Sequence, residues 1–221
     1  MNNSQLENII GGIVGSMETA DKAREQALPL HRQAIRQCSL AIRAVHRREF
    51  DSARQQLQQA SETLREAATL LQPHPEVFYA GFLQDAQKEY AEASITLAIV
   101  TKSALPNPQD LHISAAAYVN GLAESVGELR RHCLDRMRQG ELAECERLLG
   151  IMDEIFFLLT TVDFPDAITR GLRRNTDIAR GCLEKTRGEL TACHENQHLI
   201  AQMNQLKIAM THCADQPAPN H

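Results

Sequence analysis

Residues 78–93 read FYAGFLQDAQKEYAEA, and their period decides the fold class. Asp85, Glu89 and Glu92 recur at i, i+4 and i+7. At roughly 100° per residue they fall within about 60° of one another, with Phe78, Phe82, Thr96 and Ile99 on or beside the same azimuth. That is the period of a helix and not of a strand. It also places three carboxylates at the edge of an apolar face, where like charges repel.

The rest of the chain carries the same period between clear breakers. A first helix is expected from about Ser4 to Arg48, with Gly11, Gly12 and Pro29 as weak points. A second starts at Phe50-Asp51-Ser52 and reaches about Leu71, where Pro73-His74-Pro75 stops it, because proline disfavours helix in the residue before it. A third takes Glu76 to about Ser103, followed by the loop ALPNPQDLH at 104–112. A fourth covers Ser114 to about Arg138 and stops at Gly140, and a fifth covers Glu141 to about Thr161. Asp163-Phe164-Pro165 marks the next break. A last helix runs from Asp166 to about Cys213, with an interruption expected near Gly188.

No segment alternates with period two, so no sheet is expected. The expected fold is all-α: a bundle of about six to seven long antiparallel helices joined by short loops. One domain over residues 1–213 and a disordered tail over 214–221 complete the organisation.

Composition fits a soluble globular chain. Of 221 residues, 43% are hydrophobic and 23% charged, and the net charge of -5 excludes nucleic-acid binding by bulk charge, leaving only local basic patches. The apolar run near the N-terminus is too short and interrupted for a leader or a membrane span, so a cytoplasmic protein with no membrane partner is expected. The six cysteines form no C-x-x-C pair and read as reduced core thiols.

Two acidic stretches bear on chemistry. In the opening stretch, Asp85, Glu89 and Glu92 read either as an exposed stripe partnered by Lys88 or as half of a cation site; clustered acids near apolar surface have raised pKa values unless a cation neutralises them. In YVNGLAESVGELRR, residues 118–131, Glu124 and Glu128 stand at i and i+4, with Ala117 and Gly121 on the same side. Those small residues would let another backbone or a ligand approach. The apolar residues Tyr118, Leu122, Leu129 and Cys133 lie roughly opposite, so alone this is a solvated face. Two helices that each offer paired oxygen ligands suit a hard six-coordinate ion such as Mg²⁺ or Mn²⁺. A di-iron site would need two Glu-x-x-His motifs, and only Glu195-Asn-Gln-His198 occurs.

Residues 31–48 hold five arginines and two histidines without an acid. Arg32, Arg36, Arg43 and Arg47 share one helix face within about 60°, with Ile35, Cys38, Ile42 and Val45 opposite. Such a ladder suits backbone phosphates, or pairing with acids on a neighbour. Residues 165–191 mix Arg170, Arg173, Arg174, Arg180, Lys185 and Arg187 with Asp166, Asp177, Glu184 and Glu189, a pattern of structural or interface ion pairs.

FYAGFLQDAQKEYAEA, YVNGLAESVGELRR and LRRNTDIARGCLEKTRGELT, with the earlier DKAREQAL and AIRAVHRRE, together resemble the translin superfamily over about Asp21 to Leu206. Nearest is the branch of translin-associated factor X, or a prokaryotic relative of it. The resemblance implies a Mg²⁺-dependent endoribonuclease (Mn²⁺ as substitute) acting on single-stranded RNA within a hollow homo-oligomer, an octamer by analogy. Glu89 and Glu92 match the family's E-x-x-E pair. Glu124 falls where the best-known members have aspartate, which keeps the charge and lengthens the arm by one methylene, and Glu128 matches a further family glutamate. Glu89, Glu92 and Glu124 would then hold the metal, and Glu128 would be a further ligand or the base that orients water. Arg32, Arg36, Arg43 and Arg47 would hold RNA, and Asp85 is a weaker ligand candidate. The other branch implies a non-catalytic protein that binds single-stranded RNA or DNA.

Overall fold

The computed structural model describes residues 3–214, all of whose regular structure is helical. The tail expected over 214–221 lies outside the described residues, apart from Ala214, which ends the last helix. Six long helices are α1 (Asn3–His46), α2 (Phe50–Leu71), α4 (Phe82–Thr101), α5 (Ala115–Arg138), α6 (Leu142–Thr160) and α8 (Leu172–Ala214). Two single turns, α3 (Pro75–Phe78) and α7 (Asp166–Thr169), precede α4 and α8.

Local chemistry explains most of these boundaries. Ser114 caps α5 by accepting from the Ala117 backbone N–H at 3.2 Å. Pro75 opens α3, where its missing N–H is not needed. On α2, Ala53, Leu57, Ala60, Leu64, Ala67 and Leu71 are buried at alternating steps of four and three, the stripe of an amphipathic helix.

Two expected helices are each split by a left-handed backbone. The third breaks at Gly81, whose φ of 109° leaves the helical region, so α3 and α4 are separate. The last breaks at Arg170 and Gly171, with φ of 50° and 86°, and the Asp166 carboxylate accepts from the Gly171 N–H at 2.7 Å to hold the kink. Gly188 interrupts nothing, and α1 passes through Gly11, Gly12 and Pro29 without a break.

The bundle is all-helical as expected, but its directions are mixed. Antiparallel packing holds for α1 with α2, α5 with α6 and α6 with α8, where Arg187 meets Asp153 and His194 meets Glu146. The inner helices run in one direction. His31 on α1 meets Phe82 at the start of α4, and His46 at the end of α1 reaches Glu128 well along α5. Asn120 pairs with Asn175 near the starts of α5 and α8, and Arg130 pairs with Glu189 further along both. Lys88 early in α4 meets Glu124 on α5, while Lys102, just past α4, reaches Glu144 beside the end of α5.

Parallel neighbours need long returns. The connector from Lys102 to Ser114 supplies one: 13 residues can span about 43 Å when extended, more than the roughly 30 Å of α4. The core lies where these helices meet, with Leu83, Ile95, Leu129, Leu148, Met152, Leu183 and Leu190 fully buried. Each such side chain contributes roughly 1.5–3 kcal/mol by leaving water. No described helix is long and apolar enough to cross a membrane.

Candidate metal centre

The acids meet where α4 and α5 approach most closely. α4 packs against α1, α2 and α5, so its buried residues spread nearly all around it. Gly121 allows the approach: a Cβ there would lie 2.6 Å from the Ala91 Cβ, 2.7 Å from the Lys88 carbonyl and 2.9 Å from the Glu92 backbone N. The small-residue side of α5 therefore admits the backbone of α4. It brings Glu124 up to Glu89 and Glu92 instead of leaving it on a solvated face.

Carboxylate oxygens of Glu89, Glu92 and Glu124 all lie within 4.8 Å of one another, and all three residues are half-buried. Three full negative charges at that spacing cannot persist without neutralisation. The Glu92 carboxyl is pushed up to about 8, first by burial and then by Glu89, Glu124 and Glu128. Burial, aided by Glu124 and Asp85 and opposed by Lys88, raises Glu89 as well. Lys88 supplies the nearest positive charge, with Nζ 2.9 Å from Glu124 Oε1 and 3.8 Å from Glu89 Oε1.

A second layer orients these groups. Asn175 on α8 donates to Glu124 Oε1 at 3.2 Å and to Asn120 Oδ1 at 3.0 Å. Asn120 is itself fixed, donating to the carbonyls of Ala116 and Thr169 at 2.8 and 2.7 Å. Glu128 lies one turn beyond Glu124, with its Oε2 2.5 Å from His46 Nε2. That hydrogen bond, with the charge of Arg131 nearby, holds the Glu128 carboxyl below its usual range. Glu92, Glu124, Glu128 and Asn175 line one cavity of about 210 Å³.

Glu89, Glu92 and Glu124 thus converge, with Glu128 on the same cavity. Asp85 is exposed and lies outside the three-carboxylate group, facing a separate cleft. Arg32, Arg36, Arg43 and Arg47 are all exposed, and none makes an ion pair among the described residues. They project from the side of α1 away from Cys38, the residue that lies beside Glu89 and Glu92. Within one chain, therefore, they do not join the acids.

His46, Asn120 and Asn175 act on the acids without having been legible as site residues. His46 and Asn175 reach the site from distant parts of the chain, and Asn120, one turn before Glu124 on α5, carries no signal in its local spacing. Cys38, Cys133, Cys145, Cys182 and Cys193 are free, as expected.

Fold and site together define an all-helical protein built around a half-buried carboxylate cluster that could hold a metal ion. No family model matches the chain. It is 31% identical over 201 residues to an uncharacterized protein of Methanocaldococcus jannaschii, covering 90% of this chain and 89% of that one. Its fold matches AfC3PO, an archaeal C3PO, with a TM-score of 0.77 at 30% identity over 85% of this chain and 97% of the other. AfC3PO solved in complex with duplex RNA gives a TM-score of 0.78 at 29% identity, over the same shares. The fungal apo-NeC3PO shares the fold, with a TM-score of 0.75 at 14% identity over 83% of this chain and 96% of that one. The chain belongs to the translin superfamily.

Proposed function

We propose that the protein is a Mg²⁺-dependent endoribonuclease acting on single-stranded RNA inside a hollow homo-oligomer, with eight subunits by analogy. The convergence of Glu89, Glu92 and Glu124 from two parallel helices carries this reading. The donor set fits the ion: three carboxylates offer hard oxygen ligands, and the raised Glu92 carboxyl marks charge that lacks a full counter-charge. AfC3PO bound to duplex RNA supports an RNA substrate.

Glu89, Glu92 and Glu124 would hold Mg²⁺, which when bound polarises a phosphoryl oxygen and acidifies a water. With its carboxyl pushed up to about 8, Glu92 would release its proton on holding a cation. The hydrogen bond from His46 to one Glu128 oxygen favours the ionised carboxylate, so the other oxygen would be free to accept a proton from the attacking water. Asn175 fixes Glu124 from behind. Arg32, Arg36, Arg43 and Arg47 would bind RNA phosphates, their exposed and unpaired state matching that task.

Assembly finds support at the ends of the bundle. Leu6, Ile9, Ile10, Ile13 and Met17 on α1, and Leu199, Ile200, Met203 and Leu206 on α8, are all exposed. Apolar stripes of this length mark interfaces.

Incubating labelled single-stranded RNA with the protein tests the activity. Fragments should appear with Mg²⁺, vanish with chelator and be absent for Glu89→Gln, which should still bind RNA. Binding without cleavage at any divalent cation would leave the non-catalytic nucleic-acid-binding protein as the correct description.

A further inference from the structure

Lys88 is placed between two sets of acids. Its Nζ lies 2.9 Å from Glu124 Oε1 and 3.8 Å from Glu89 Oε1, so it contacts two of the three carboxylates proposed to hold the metal. Its side chain is one-quarter exposed and also lines a cleft of about 410 Å³ that Glu89, Glu92 and Glu124 do not line. That cleft is walled by Tyr79, Gln84, Asp85, Asn120, Asp166 and Arg170 among others. Asp85 stands three residues before Lys88 and therefore on the same helix face. Asp85 makes no ion pair among the described residues, and Asp166 is engaged with the Gly171 N–H.

An ammonium group and a divalent cation compete for the same carboxylate oxygens. Both seek the negative charge of Glu89 and Glu124, and they repel each other at short range. We propose that Lys88 is a resident counter-cation: it holds the acids together in the metal-free protein and passes to Asp85 when a divalent cation takes Glu89 and Glu124. This rests on the metal-site reading given above. Lys88 is a positioning residue that sets metal affinity. Asp85, a weak ligand candidate on sequence grounds, becomes the group that receives the lysine. The extended α4 acid stripe then has two separate tasks, with Glu89 and Glu92 facing the metal and Asp85 facing its competitor.

Mn²⁺ titration of the metal-free full-length protein, followed by the loss of the free-ion electron paramagnetic resonance signal, tests the exchange. Lys88→Gln should bind Mn²⁺ about tenfold more tightly than wild type, since a competing charge is gone. Lys88→Met should behave alike, and a thermal melt in chelator shows that each variant is folded. Asp85→Asn should weaken Mn²⁺ binding about threefold in the wild-type background and leave it unchanged in the Lys88→Gln background. An affinity for Lys88→Gln within twofold of wild type, or weaker, overturns the proposal. So does an Asp85→Asn effect of equal size in both backgrounds, which would be simple loss of a nearby charge. Glu89→Gln separates the two readings. If it weakens Mn²⁺ binding while Lys88→Gln does not strengthen it, the metal site stands and the lysine exchange fails. If Glu89→Gln has no effect, or no form of the protein binds Mn²⁺, the metal site itself is wrong and the exchange fails with it.

Discussion

Gly121 on α5 and Ala91 on α4 meet with no room for one more methyl group: a Cβ at 121 would sit 2.6 Å from the Ala91 Cβ. Lys88, Glu92 and Glu124 occupy neighbouring positions on the same two helices. The spacing of the acids is therefore set by this backbone approach and not by the acids, which repel.

Gly121→Ala should push α4 and α5 apart. The expected cost is about 1–3 kcal/mol, as for other overpacked cores. Denaturant unfolding measures that loss. Mn²⁺ affinity should fall with it, because Glu124 would no longer reach Glu89 and Glu92, and an unchanged affinity would detach the site from the helix approach.

Glu92 should make the metal-free protein sensitive to pH. Its carboxyl is raised from 4.5 to about 8 in the folded state, so the folded chain holds a proton that the unfolded chain has lost. Linkage then makes Glu92 reduce stability progressively as pH rises from about 4.5 to about 8, with no further change above. In chelator, the stability of Glu92→Gln relative to wild type should therefore grow over that window. A relative stability that stays flat across the whole range would contradict the raised carboxyl.

His46 should matter through Glu128. The hydrogen bond lowers the Glu128 carboxyl, so its stabilising effect is present above the ordinary carboxylate range and is lost as pH falls through the lowered value. His46→Ala should cost about 1–3 kcal/mol near neutral pH, as expected for an unsatisfied partner of a charged group. The turnover rate should fall while Mn²⁺ affinity moves by less than about threefold. An Mn²⁺ affinity that collapses would instead make Glu128 a metal ligand.

The arginine ladder should reveal itself through salt. Replacing Arg32, Arg36, Arg43 and Arg47 by glutamine should weaken single-stranded RNA binding and make it less salt-dependent. The logarithmic slope should shrink by about 0.7 for each phosphate that is no longer neutralised. Binding curves at several salt concentrations measure this. An unaltered slope would assign the ladder to pairing with acids on another subunit.

Much of this structure is legible in the chain. Periods and breakers locate all six long helices, and Pro73-His74-Pro75 and Asp163-Phe164-Pro165 lie in their connections. The splits at Gly81 and Gly171 are harder to see, because a glycine shows its left-handed φ only once neighbouring turns are packed. Helix direction is not legible at all, since the 102–114 connector allows either a hairpin or a crossover. Glu89, Glu92, Glu124 and Glu128 are found through spacing and family resemblance. The half-burial of Glu124 depends on what Gly121 admits. His46 lies 82 residues from Glu128 and Asn175 lies 51 from Glu124, so only tertiary packing joins them to the site.

The claim that three glutamates form a metal centre is tested most directly by manganese anomalous diffraction from crystals of the protein soaked in Mn²⁺. The expected result is a single strong peak about 2.1 Å from oxygens of Glu89, Glu92 and Glu124, with Lys88 turned toward Asp85. A saturating soak that places manganese elsewhere, with Lys88 still on Glu124, would refute the metal centre.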